Sequence, residues 1–88
     1  MQRKIKNMEE VGEVFTYFSK IGVAGIKITK GKLRIGDKIR IKGATTDFEQ
    51  VVESMEIDHK PVDVAMPGDM VGIKVKERVR KKDRVYLV

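Results

Sequence analysis

Five residues near the middle of the chain, Lys38-Ile39-Arg40-Ile41-Lys42, alternate strictly between charge and isoleucine. Side chains on a β-strand point to opposite faces in turn, so Ile39 and Ile41 face one way and the three cations the other. Val71, Ile73 and Val75 repeat the pattern, interleaved with Gly72, Lys74 and Lys76. A chain built from such segments must bury one face of a sheet. Helical spacing is absent, apart from a single turn predicted near Val62–Met66.

Turn signals separate the strands every eight to twelve residues. Ser19–Gly22, Lys30-Gly31-Lys32, Ile35-Gly36-Asp37, Gly43–Asp47, Pro61 and Pro67-Gly68-Asp69 all interrupt the apolar pattern. Strands are predicted over Val11–Phe18, Val23–Thr29, Lys38–Lys42, Phe48–Asp58, Val71–Val75 and Arg84–Val88, with Leu33–Asp37 a short segment. Within Phe48–Asp58 the phase slips: Val52 has one parity, and Val51, Met55 and Ile57 the other. That slip predicts a bulge or sharp bend. The polar run Glu77–Lys82 is a connection.

Six or seven short strands in 88 residues specify one all-β domain. Closure into an antiparallel barrel removes aggregation-prone edges rich in Ile and Val. The predicted interior is Val14, Ile26, Ile28, Ile39, Ile41, Met55, Ile57, Val71, Ile73, Val75, Val85 and Leu87. Residues 1–10 are a basic N-terminal extension, and residues 11–88 are the single domain.

The net charge of +6 is unevenly placed. Residues 20–42 hold eight bases against Asp37 alone, and residues 70–88 hold seven bases against two acids. Between them, residues 43–69 hold Lys60 against seven acids. A basic side attracts polyanions. On the predicted phase Lys27, Lys38, Arg40, Lys42, Lys74 and Lys76 point outward, and these six are the candidate nucleic-acid contacts. Aromatics that stack on bases are few: Phe15, Tyr17, Phe18, Phe48 and Tyr86.

The chain has no cysteine and one histidine, His59. Thiolate zinc sites, disulfides and cysteine nucleophiles are excluded, and a lone His in a loop reads as a surface residue. Glu53 and Glu56 fall on opposite faces of a strand, so they form no acid–base pair. The methionines are scattered, which fits core filling and loop packing. GxxxxGK[ST] is absent. No catalytic residue, cofactor or metal is expected, and the chain is read as a non-enzyme. The absence of a signal-peptide pattern and of a 20-residue apolar run points to a cytoplasmic protein without a membrane span. A single asparagine and abundant Lys, Arg and Glu fit a thermophile source.

Several runs resemble a known family. Gly12-Glu13-Val14, Gly31-Lys32-Leu33-Arg34-Ile35-Gly36-Asp37-Lys38-Ile39-Arg40-Ile41-Lys42-Gly43, Val52–Ile57, Ala65–Ile73 and Arg80–Val85 look like the second domain of translational GTPases such as elongation factor Tu and the initiation factors. The resemblance implies a six-stranded, antiparallel, closed Greek-key barrel and contact with ribosomal or transfer RNA. The nucleotide motifs of those factors are missing, so the chain is read as a stand-alone domain. The stretch Tyr17–Ala24 and the run Lys42–Phe48 are closer to the C-terminal barrel of collagenase-like peptidase proteins. That likeness implies an accessory module for a protein partner that carries the catalytic domain.

Overall fold

A computed structural model describes residues 8–88. It contains ten strands and, among the described residues, no helix. They are β1 (Glu9–Phe18), β2 (Val23–Ile28), β3 (Leu33–Arg34), β4 (Lys38–Lys42), β5 (Asp47–Val51), β6 (Met55–Ile57), β7 (Lys60–Pro61), β8 (Val64–Ala65), β9 (Met70–Lys74) and β10 (Arg84–Leu87). Eight form one antiparallel sheet in the order β5-β4-β10-β1-β2-β9-β6-β7, and β3 pairs with β8. Six strands have four residues or more, and they are contiguous from β5 to β9.

The alternation predicts the core well. Val14, Ile26, Ile28, Ile39, Ile41, Met55, Val71, Ile73, Val75 and Val85 are all buried. Ile57 and Leu87 are half-buried against them. Val11, Ala24, Leu33, Phe48, Val52, Ala65 and Val79 complete the core. Val79 lies inside the run read as polar, and Phe48 is withdrawn from the aromatics available to stack on a base.

Three expectations are corrected. The helical turn near Val62–Met66 is the short strand β8, because Val64 pairs with Arg34 across the small sheet. The phase slip in 48–58, read as a bulge or sharp bend in one long strand, divides it into two, β5 and β6. Val52 leaves the ladder, buries its side chain and exchanges backbone bonds with the β3–β4 turn, donating to Asp37 O and accepting from Gly36 N at 2.8 Å each. The methionines divide: Met55 is buried, whereas Met66 and Met70 are exposed.

The bulges occur instead in β1, where the register shifts between Glu10 and Gly12 and again between Val14 and Thr16. Each extra residue flips the inward parity. Val11 is inside, then Val14, then Tyr17 against the core. Phe15, at the second bulge, is turned outward.

One turn is built three times. In Arg34–Asp37, Met66–Asp69 and Arg80–Asp83 the fourth residue is Asp, and its N–H donates to the first residue's carbonyl at 3.1, 2.9 and 3.1 Å. Its carboxylate accepts the first residue's N–H at 2.9, 2.8 and 2.9 Å. The third residue is left-handed each time: Gly36 at φ 97°, Gly68 at φ 96° and Lys82 at φ 78°. A left-handed residue is the signature of a type II turn and suits glycine. Lysine there costs about 1–2 kcal/mol, partly offset because glycine loosens the unfolded chain. Lys82→Gly is therefore expected to raise the melting temperature by about 3–6 °C in a thermal scan. The reverse change, Gly36→Lys, is expected to lower it.

Candidate nucleic-acid interface

The six predicted cations all lie on the outside. Lys27, Lys38, Lys42, Lys74 and Lys76 are exposed and Arg40 is half-buried. They do not share one uniform environment. Hairpin β4–β5 places Lys42 opposite Asp47 and Arg40 opposite Glu49. Arg40 Nε and Nη2 grip the two oxygens of Asp47 at 2.7 and 2.9 Å, and Lys38 Nζ reaches Glu49 at 3.3 Å. The hydrogen bond from Arg40 holds the Asp47 carboxyl below the ordinary carboxylate range, and the same bond raises the guanidinium. These pairs are solvated. Exposed pairs contribute little to stability, so a phosphate can displace the acid. A third pair, Arg84 with Glu10 at 2.7 Å, ties β10 to β1.

Lys27, Lys42, Lys74 and Lys76 enter none of the ion pairs among the described residues. Lys27 stands on β2 opposite Met70, four positions along β9 from Lys74. At the strand rise of about 3.3 Å this separates the two by roughly 13 Å along the sheet. Lys74 and Lys76 are instead drawn to the other end of the sheet. Gln50 on β5 donates its side-chain amide to Lys74 O at 2.8 Å, and its carbonyl accepts the Lys76 N–H at 2.9 Å. The amide thus supplies the bonding of a missing backbone partner between β5 and the end of β9.

Along this seam runs an open cleft of about 760 Å³ lined by Gln50, Val51, Glu53, Ser54, Lys74, Val75 and Lys76. Lys38 stands one strand away from the seam, on β4 opposite Val51, with its Nζ on Glu49. Lys42 and Arg40 continue along β4, and Lys27 lies apart. Gln50 is the residue that alternation passes over: nothing in a polar side chain on β5 announces a partner 24 residues later.

The other candidates are placed as follows. His59 is exposed and left-handed at φ 65° in the turn after β6. Glu53 lies in the break before β6 and Glu56 on it, both exposed. Among the described residues, no three His, Cys, Asp or Glu side chains gather to hold a metal ion. No described helix is long and apolar enough to cross a membrane. Exposed apolar side chains gather elsewhere, at Phe15, Phe18, Ile21 and Met70.

Residues 22–82 match the model of the family described as elongation factor Tu domain 2. The chain belongs to the elongation factor Tu domain 2 family. Two relatives extend the likeness in the second direction. An uncharacterized protease of Methanocaldococcus jannaschii is 46% identical over 80 residues, covering 90% of this chain and 19% of that protein. A collagenase of Porphyromonas gingivalis is 43% identical over 77 residues, 86% of this chain and 21% of that protein. The chain thus spans about a fifth of the length of these relatives. In structure it is similar to the C-terminal domain of a putative U32 peptidase from Geobacillus thermoleovorans, with a TM-score of 0.84, 26% identity, and coverage of 89% of this chain and 98% of that one. The repeated Gly-Asp turns before β4 and β9 lie inside the matched segment.

Proposed function

We propose that this domain is a non-catalytic, closed, translation-factor-type Greek-key barrel that contacts RNA through its outward cations. Its staves are the six longer strands, and the Gln50 amide closes β5 onto β9. The observation that carries the reading is the outward cations at that seam, Lys74 and Lys76, with Lys38, Arg40 and Lys42 one strand away on β4. Binding proceeds by neutralising backbone phosphates with little readout of bases, since cations on a sheet surface set register without reading sequence. Lys27 contributes to the general field rather than to the seam.

Titration of a fluorescent tRNA transcript at several potassium chloride concentrations tests this. The association constant should fall by about 0.7–0.9 log units per phosphate contact for each tenfold rise in salt. Changing Lys42, Lys74 and Lys76 together to Gln should flatten that slope by about two to three units while the thermal melt stays the same. Absence of salt-sensitive binding to tRNA and ribosomal RNA at low ionic strength would refute the reading.

A second reading is an accessory module that serves a larger enzyme. Its support is the likeness to peptidase relatives over a fifth of their length, together with the exposed apolar cluster at Phe15, Phe18, Ile21 and Met70. A stoichiometric protein partner that survives nuclease treatment favours it.

A further inference from the structure

The second bulge of β1 turns the Phe15 ring outward and lays it over β2. A Cβ at Gly25 would lie 2.9 Å from Phe15 Cζ, so only a glycine lets the ring settle there. Gly25 is paired in register with Gly72 of β9. Gly25 is buried beneath the ring, and Gly72 beside it is half-buried, so the sheet surface stays low next to Phe15. Around it stand Phe15, Phe18, Ile21 and Met70, exposed by 41, 51, 60 and 55%. Together they enclose an open hollow of about 470 Å³.

Single exposed apolar residues are ordinary on a soluble protein, but four large ones around one concavity mark an interaction site. The sign of the rim narrows the ligand. Glu56, Asp58 and His59, from β6 and its turn, belong to the lining, which holds no Lys or Arg among the described residues; Lys27 opposite Met70 and Lys74 opposite Val23 stand just outside it. Two carboxylates beside the hollow repel phosphate and attract cations.

We propose that this hollow docks an extended segment of a partner protein. A bulky apolar side chain of the segment settles beside the Phe15 ring over Gly72, and a flanking Lys or Arg meets Glu56 and Asp58. The hollow borders the cationic seam at Lys74 but shares no lining residue with it and does not depend on the RNA reading, so either can fail while the other stands. Its energetic centre is the set of exposed rings, because desolvated aromatic and methionine anchors dominate protein interfaces. The carboxylates add orientation and selectivity for sign.

The test uses the full chain, labelled with nitrogen-15, and two short peptide libraries. In one, a single Leu, Phe or Met is flanked by lysines, and in the other by glutamates. The lysine-flanked set is expected to give saturable amide shifts confined to Phe15–Gly25, Glu56–His59 and Met70–Gly72. Phe18→Ser and Met70→Glu, at exposed positions that leave the spectrum dispersed, should each weaken binding at least tenfold. Reversing the rim with Glu56→Lys and Asp58→Lys should weaken it at least threefold and transfer the preference to the glutamate-flanked set. Absence of saturable shifts at millimolar peptide overturns the proposal. So does equal binding of both libraries, or the same shift pattern produced by oligouridylate, which would make the hollow a nucleic-acid site.

Discussion

Gly43→Ala is expected to cost about 3 kcal/mol or more, a large part of the roughly 4–13 kcal/mol that holds a domain of this size folded. A Cβ on Gly43 would fall on the Asp83 carboxylate, overlapping Oδ1 and lying 2.6 Å from Cγ. The carboxylate cannot step aside. Asp83 is 4% exposed, its Oδ2 accepts the Arg80 N–H, its own N–H bonds Arg80 O, and its carbonyl accepts the Val14 N–H at 2.8 Å. Moving it dismantles the third Asp turn and the start of β10. Gly43 is held just as firmly, since its N–H closes the β4–β5 hairpin on Thr46 O.

A urea series on both single variants and the double variant gives the coupling. If the carboxylate is the obstacle, Gly43→Ala should cost less than about 1 kcal/mol in an Asp83→Ala background. A cost within about 0.5 kcal/mol for the single variant, or strict additivity of the two, would show that the two residues do not crowd each other.

Asp83 also shows where the sequence stops being readable. The alternation in Lys38–Lys42 and Val71–Val75 is local, and it placed Ile39, Ile41, Val71, Ile73 and Val75 inside without any knowledge of partners. The Gly-Asp turns are local too, and they carried the resemblance to the translation-factor barrel. Arg80–Asp83 hides the same turn because Lys82 occupies the position where the others have glycine. Phe15-Thr16-Tyr17-Phe18 has no alternation to read, so the β1 bulges and the outward swing of Phe15 were illegible. For the interface, outward direction was legible from parity, whereas neutralisation of Arg40 by Asp47 and of Lys38 by Glu49 depends on hairpin register. The bond from Gln50 to the end of β9 depends on how the whole sheet curls, which no window of the sequence contains.

Ile26→Ala should be nearly as damaging, about 3–4 kcal/mol, for a reason that contrasts with Gly43. Ile26 is fully buried at the centre of β2, paired with Val14 on one side and Val71 on the other. Its Cγ2 fills the space over Gly12, where a Cβ would come within 2.9 Å of it. Strands on both sides are fixed by their ladders, so the hole cannot collapse and the cavity cost adds to the lost transfer energy. Ile26→Val, which removes one methyl, should cost only about 0.5–1.5 kcal/mol. Placing a methyl at Gly12 looks like a way to refill the hole, but it should fail. The same Cβ would also meet Lys27 O at 2.6 Å, and that oxygen belongs to the backbone of β2. A clash with a side chain can be relieved by trimming the side chain, as at Asp83; a clash with a strand's own carbonyl cannot. Gly12→Ala should therefore remain destabilising by more than about 1 kcal/mol in the Ile26→Ala background. Rescue of Ile26→Ala by Gly12→Ala in a urea titration would show that β2 yields at this point and that the first bulge of β1 is not held rigidly against it.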